Sequence, residues 1–437
     1  MGSCFIKAVP HSLPAQKEGA DRLKLFQDKF SIYKKAGEPL YKTPKSVQEC
    51  IELLKIAPDG IFEVAGNRYS KSYLFSDVNY NTTSEREQVG IFESYCRFLN
   101  AMDVEFKVTI NNKNRNMKAL REKVLFQKKG DGNDRERDCY NQIMEKKIVE
   151  GKQGIEQERY LTVSIIRKNY EEAKAAFASL EAVLQKGFGE LGSSLAALNG
   201  VERLRVLHDF YRMGEEEYFS FDFEEAVRAG RDYKDDICNS MLKFYPTYMQ
   251  DEKRFAKALF IKKYPSSLSD RFLTELATVP AHTIISIDVA PIPKDVTTST
   301  LQKKYMGIES DIIRQQRVRN KNNDFSSDIS YNKRTEKQQI EEIMDDVREN
   351  DQRLFYVAVT IIIKADTKEE LEAIEETLVT IGKRNSCQIE AHYLKQREAL
   401  NTALPIGVRQ VETMRTLMTQ SLAVLMPFNV QELYLPG

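Results

Sequence analysis

The sequence predicts an α+β fold built from two related units. Three observations carry this prediction. Short β-branched or apolar runs alternate with stretches whose apolar residues recur every three or four positions. The alternation occurs twice, in the same order. Each copy also holds a long polar helical hairpin between its second and third strands.

Residues 1–45 read as a basic N-terminal tail, broken by Pro10, Pro14, Pro39 and Pro44, with a short helix near Asp21 to Lys34. A strand-rich section follows. Val47 to Ile56, Ile61 to Val64 and Tyr69 to Val78 are its runs, and Pro58-Asp59-Gly60 makes the first turn.

The first unit spans residues 46–213. It predicts a strand from Ser70 to Val78, a helix from Ser84 to Asn100 and a strand from Val104 to Asn111. Polar helices near Met117 to Gln127 and Asp134 to Glu150 form its hairpin. A strand from Tyr160 to Arg167, a helix from Tyr170 to Gly187 and a short apolar segment at Leu195 to Leu198 complete it, and a helix with His208 follows.

The second unit spans residues 252–400. It predicts a strand from Phe255 to Lys263, a helix from Ser269 to Thr278 and a strand from Thr283 to Ala290. Its hairpin is expected from Lys294 to Arg319 and from Lys333 to Asn350. A strand from Phe355 to Ile363, a helix from Lys368 to Arg384, a strand from Gln388 to Leu394 and a short helix ending near Leu400 complete it.

Each copy is thus β-α-β, hairpin, β-α-β, the order of a ferredoxin-like arrangement with an inserted helical hairpin. One continuous domain with an inserted loop is the alternative. Burial is the physical logic. Phe355 to Ile363 is apolar nearly throughout, as a central strand should be. Leu371, Ile374, Leu378 and Ile381 give the next helix an apolar stripe, and Asp366-Thr367 can cap it. The hairpins are too polar for a core and should project as arms. Residues 214–251 read as an acidic, aromatic connection between the units. Residues 401–437 hold a helical pattern at Val411, Met414, Leu417, Met418 and Leu422.

Composition narrows the function. Lys+Arg and Asp+Glu are each 65, so there is no basic surplus of the kind that displaces counterions from nucleic acid. Six cysteines, at 4, 50, 96, 139, 238 and 387, stand too far apart for a zinc knuckle or a redox pair. Such sparse cysteines suit a reducing, cytoplasmic setting. The four histidines, His11, His208, His282 and His392, make no metal signature. No apolar run approaches the length of a membrane span, so any membrane association is expected to be peripheral.

Candidate chemistry is sparse. Gly187-Phe-Gly-Glu-Leu-Gly192 matches G-x-G-x-x-G but follows a helix, the wrong end of the dipole for phosphate, and reads as a helix stop. No Gly-x-x-x-x-Gly-Lys-Ser/Thr occurs. Gly151-Lys152 and Gly382-Lys383 lack the hydroxyl that would hold magnesium. His208-Asp209 suggests a base and its orienter, but neighbours on a helix point about 100° apart, so helix-surface packing is expected. The acidic run Glu215 to Glu225 reads as a solvated linker, with a docking strip as the alternative. Arg314, Arg317, Arg319 and Lys321 cluster on the second arm without an aromatic residue to stack bases, so a solvated face or protein-docking tip is favoured over nucleic acid. No catalytic, cofactor-binding or metal-ligating residue is assigned.

An ordered series of short stretches resembles the conjugal transfer traffic ATPases of type IV secretion systems, in their Gram-positive branch. They are Pro58-Asp-Gly-Ile-Phe62, Tyr69-Ser-Lys-Ser-Tyr73, Tyr160-Leu-Thr-Val-Ser164 and His208-Asp-Phe-Tyr-Arg-Met-Gly-Glu-Glu216. Ser286-Ile-Asp-Val-Ala-Pro-Ile-Pro293, Asn322-Asn-Asp-Phe-Ser326, Asp351-Gln-Arg353, Leu400-Asn-Thr-Ala-Leu-Pro-Ile-Gly407 and Ala423 to Gly437 continue it. The resemblance implies the N-terminal docking and assembly region of a hexamer-forming ATPase, peripheral at the cytoplasmic face of the membrane. It implies inner-membrane channel components as partners, self-association in the full-length protein, and DNA or relaxase met indirectly. By the same implication residues 401–437 are the lead-in to a C-terminal ATPase core, to which ATP and magnesium belong. A DNA-binding accessory protein of conjugation and an ATPase with an unrecognised nucleotide site are the alternatives.

Overall fold

Alternation along the central strands decides the architecture. In β4 (Glu105–Asn114), Phe106, Val108 and Ile110 point one way and Lys107 and Thr109 the other. In β10 (His282–Pro291), Ile285, Ile287 and Val289 oppose Ser286 and Asp288. A computed structural model describes residues 44, 46–81, 83–114, 124–150, 155–265, 268–321 and 331–428. It is a mixed α/β protein with one large sheet whose described pairings are all antiparallel.

The remaining strands are β1 (Lys55–Ile56), β2 (Phe62–Ala65), β3 (Arg68–Phe75), β5 (Ile155–Ile166), β6 (Leu195–Ala197), β7 (Leu242–Phe244) and β8 (Met249–Asp251). β9 (Phe255–Lys263), β11 (Leu354–Ala365), β12 (Gln388–Ala391) and β13 (Arg415–Met418) follow. The sheet runs β1-β2-β3-β5-β4-β10-β11-β9-β8-β7, with β6 on β3, β12 on β9 and β13 on β11. The first half therefore reads β6-β3-β5-β4 and the second β12-β9-β11-β10, the same order. The halves join where β4 meets β10, from Thr283 opposite Asn112 to Val289 opposite Phe106. An antiparallel join between equivalent strands relates the halves by an approximate two-fold axis normal to the sheet.

Helices cover the apolar face. They are α1 (Glu85–Ala101), α3 (Tyr170–Glu190), α6 (Arg271–Ala277) and α9 (Lys368–Arg384), and α2 (Asp134–Glu150) stands in the first arm. Phe98 of α1, Phe177 and Phe188 of α3, Leu276 of α6 and Leu371 of α9 enter one apolar cluster with the strand residues. Each such side chain contributes about 1.5–3 kcal/mol by leaving water. The starts are chemically set. Ser84 and Glu87 make a capping box on α1, and Thr367 caps α9 by accepting from the Glu370 amide at 3.2 Å.

The opposite face is covered by α4 (Gly200–Tyr211), α10 (Gln396–Ala403) and the loop residues 404–411, which turn at 405–406. The second arm is α7 (Lys294–Lys321) with α8 (Tyr331–Glu349), which pack on each other and on little else.

Several expectations change. Of the run Val47 to Ile56, only Lys55–Ile56 is strand; Gln48–Cys50 form a 3-10 turn. The helix expected to stop at Gly187 continues to Glu190, and Gly192, at φ +76°, makes the stop. The helical pattern from Val411 to Leu422 is instead β13 and a short helix, α11 (Thr419–Ala423). β13 forms there because the start of β11 offers a free ladder, pairing Leu354 with Met418 and Val357 with Arg415. Residues 214–251 carry α5 (Phe223–Ala229) and the β7–β8 hairpin, which extends the sheet beside β9. The tail helix near Asp21 to Lys34 and residues 429–437 lie outside the described residues, as do residues 117–123 of the helix expected from Met117 to Gln127; Leu125 to Gln127 of that stretch are not helical.

Candidate functional site

Where a helix end and the loop after it cross a sheet face, their backbone carbonyls need donors. Residues 402–408 find them in the polar side chains of β3, β4 and β5. Ser70 Oγ donates to Ile406 O at 2.7 Å, Ser72 Oγ to Pro405 O at 3.1 Å and Ser164 Oγ to Gly407 O at 2.9 Å. Lys107 Nζ donates to Thr402 O, to Leu404 O at 3.3 Å and to Val408 O at 2.9 Å. Arg203 of α4 reaches Pro405 O at 3.0 Å while also holding the carbonyls of Gly60 and Ser70, each at 2.9 Å. The result is a strap seated in a cradle of hydroxyls and cations.

Gly407 shows how close the seating is. Its φ is +85°, and an added Cβ would stand 2.4 Å from Ser70 Cβ and 2.6 Å from Ser164 Oγ. Only glycine satisfies both the dihedral and the approach.

The cradle's charges are buried and paired. Arg68 and Arg409 flank Glu105, the second at 3.1 Å. Burial raises the Glu105 carboxyl, but the two guanidiniums outweigh it and hold it below the ordinary range. Lys107 lies opposite Asp288 in the β4–β10 register. Burial lowers the lysine and raises the aspartate, and each charge opposes the shift of the other. Burial also draws Arg203 down to about 9, which leaves it charged at neutral pH beside its three carbonyls.

A second polar group lies nearer the end of the β4–β10 pair. Lys113 bridges Glu158 at 2.9 Å and Asp209 at 3.1 Å, while Lys364 pairs with Asp251 at 2.8 Å. Between them is a cavity of about 20 Å³, also lined by His282, whose pKa burial pulls to about 4. That space suits a single water.

The sequence candidates disperse. His208 and Asp209 are both buried, not on the helix surface as expected, because α4 is enclosed between the sheet and residues 219–221. His208 packs against Phe219 with ring centroids 5.0 Å apart. Its Nδ1 lies 3.5 Å from Asp209 Oδ1, a contact between neighbours on one turn of α4. In the acidic run, Glu216 is buried and accepts from the Gly214 amide at 2.7 Å, whereas Tyr218 is exposed. Arg314 and Arg317 are exposed on α7; the side chains of Arg319 and Lys321 lie outside the described residues. Gly187 and Gly189 sit inside α3, and an added Cβ at Gly187 would meet Phe98 at 2.7 Å.

Among the described residues, glycines stand ahead of two α-helices: Gly130 and Gly132 precede α2, where the amides of Lys129 and Gly130 are taken by the Asp134 carboxylate, each at 3.0 Å, and the turn from β6 into α4 carries Gly200. The Gly200 amide donates to Pro58 O at 3.0 Å, and Ala57 O and Phe223 occupy the space beside it, so no phosphate could enter. Among the described residues no group of His, Cys, Asp and Glu could hold a metal ion.

The cradle escaped sequence reasoning because its partners lie some 300 positions apart. One signal was present: Ser70 and Ser72, and Thr162 and Ser164, are small hydroxyl residues at alternate positions of their strands, and Lys107 stands between apolar neighbours in β4. Compared with known proteins, the chain matches no family model and no curated protein.

Proposed function

We propose that this chain is the docking and assembly region of a conjugal transfer ATPase, acting at the cytoplasmic face of a type IV secretion channel. In this reading residues 46–213 and 252–400 are two ferredoxin-like units sharing one sheet. Their strand orders, β6-β3-β5-β4 and β12-β9-β11-β10, suit that arrangement. The observation that carries the proposal is the strap. The resemblance puts Leu400 to Gly407 just ahead of an ATPase core, and these residues are bonded into the sheet through buried cations and hydroxyls. A region that receives load from a motor and passes it to a channel needs such an anchorage. The second arm offers a docking tip through the exposed Arg314 and Arg317.

Two measurements test this. Mg·ATP titrated into the chain should release no binding heat and yield no phosphate; micromolar binding with turnover overturns the reading. The chain should co-purify with defined inner-membrane components of the conjugation channel and lose them when Arg314 and Arg317 are both changed to Glu. Duplex DNA bound with steep salt dependence through those arginines would instead favour the DNA-binding accessory reading.

A further inference from the structure

β7 ends the sheet, and among the described residues it pairs on one side only, with β8. Its backbone groups divide between the two sides. The Tyr245 amide donates to Tyr248 O at 2.8 Å and closes the turn at Pro246-Thr247. Bonded pairs alternate along an antiparallel ladder, so Lys243 bonds with Gln250, while Leu242 and Phe244 turn their N–H and C=O groups away from β8. The residue opposite Leu242 agrees with this, since the Asp251 amide donates to Arg254 O at 3.0 Å, on the β9 side. Two donors and two acceptors therefore point outward along one edge. The Tyr245 and Tyr248 rings stack with centroids 4.4 Å apart, which holds the hairpin in shape.

Beside this strand lies an apolar surface. Leu242 and Phe244 share one face of β7 and line an open groove of about 560 Å³, with Val47, Pro246 and Leu394 as further apolar walls. Leu394 is 67% exposed and is fixed by its amide donating to Pro246 O at 2.7 Å. Lys243 lies on the other face of the strand, exposed, and its neighbour across the ladder is the uncharged Gln250. A free strand edge beside pockets for alternate side chains is the surface that takes up extended peptides.

These features specify the occupant. Outward N–H and C=O groups two residues apart need an extended backbone, because a helix spends its own groups internally. The groove accepts apolar side chains at alternate positions, and Lys243 calls for an acid between them. A second copy of β7 fails on that last point. Antiparallel self-pairing that bonds Leu242 to Phe244 sets Lys243 against Lys243, and like charges directly opposite repel. We propose that β7 docks an extended segment of a partner protein, running antiparallel, with the pattern apolar-acidic-apolar and its acid opposite Lys243. Neither the strap nor the arms takes part, so this surface stands or falls apart from the ATPase reading.

Hydrogen exchange on the full chain tests it, with the peptide acetyl-Thr-Val-Glu-Val-Thr-amide as probe. Without peptide the Leu242 and Phe244 amides should exchange freely. Peptide at about ten times its Kd should slow both by roughly tenfold. Methylating the two valine nitrogens removes the donors to Leu242 O and Phe244 O and should abolish the protection. Replacing the peptide's Glu by Lys should weaken binding by roughly tenfold, and Lys243→Glu in the chain should invert that preference. Slow exchange of the two amides before any peptide is added overturns the proposal, because it gives the edge to another segment of this chain or to a second copy. Binding that survives methylation also overturns it, by making the groove an apolar pocket with no strand pairing. Absence of protection by the unmodified peptide does the same.

Discussion

Lys107 and Asp288 face each other across the strand pair that joins the two halves of the sheet, Nζ to Oδ2 at 3.3 Å. The side chains are only 2% and 9% exposed. The lysine is shared, because three carbonyls of the strap compete for the same ammonium. One cation therefore closes both the seam between halves and the seat of the strap.

Lys107→Ala should destabilise the protein by about 3–5 kcal/mol, the cost of leaving a buried carboxylate and several carbonyls without a partner. Urea unfolding at pH 7 measures it. Lys107→Met with Asp288→Leu should recover part of the loss, since an apolar pair removes the orphaned charge.

Glu105 has its carboxyl held below the ordinary value, so its sign is that of a depressed acid. Its contribution is present above the unfolded value near 4.5 and is lost as pH falls through the lower folded value. Urea midpoints followed from pH 6 to pH 3 should drop more steeply in the parent than in Glu105→Gln. Equal slopes would show that the two arginines do not select the ionised form.

His392 is buried and stacked on Phe260 at 4.4 Å, and burial takes its pKa from 6.5 to about 4. The unfolded chain binds the extra proton, so stability is full above pH 6.5 and falls as pH drops toward 4. Between pH 7.5 and pH 5 this group should cost roughly 2 kcal/mol. His392→Phe should lack that part of the pH dependence, read from denaturation at both values.

Gly407→Ala should lower stability by at least ~2 kcal/mol, because strain at φ +85° adds to a clash with Ser70 and Ser164. Thermal unfolding checks the size. Limited proteolysis near residue 407 checks the place, and cleavage there should accelerate as the strap lifts.

Arg314→Glu with Arg317→Glu should leave thermal stability within about 0.5 kcal/mol of the parent, as expected for exposed side chains away from the core. A larger loss would mean that the arm packs on the body.

Much of the fold was legible because local pattern and tertiary burial agree. Leu371 and Leu378 repeat at helical spacing and both reach 0% exposure, and Phe355 to Ile363 supplies the ladder between β10 and β9. The stretch from Val411 to Leu422 misled because its apolar spacing suits a helix, while the open start of β11 gives Arg415–Met418 a strand partner. His208 misled differently. A polar pair on a helix suggests a surface, but Phe219 and the sheet enclose it. The cradle could not be read at all, since nothing local tells Ser70 that its acceptor is Ile406.

The strap lies across β3, β5 and β4, tied to each by at least one side-chain bond. Tension applied at Val411 would reach several strands together, so these attachments share the force and do not unzip in turn. A mechanical grip of that kind resists sudden tugs better than its modest number of contacts suggests, and yields only when many bonds fail at once.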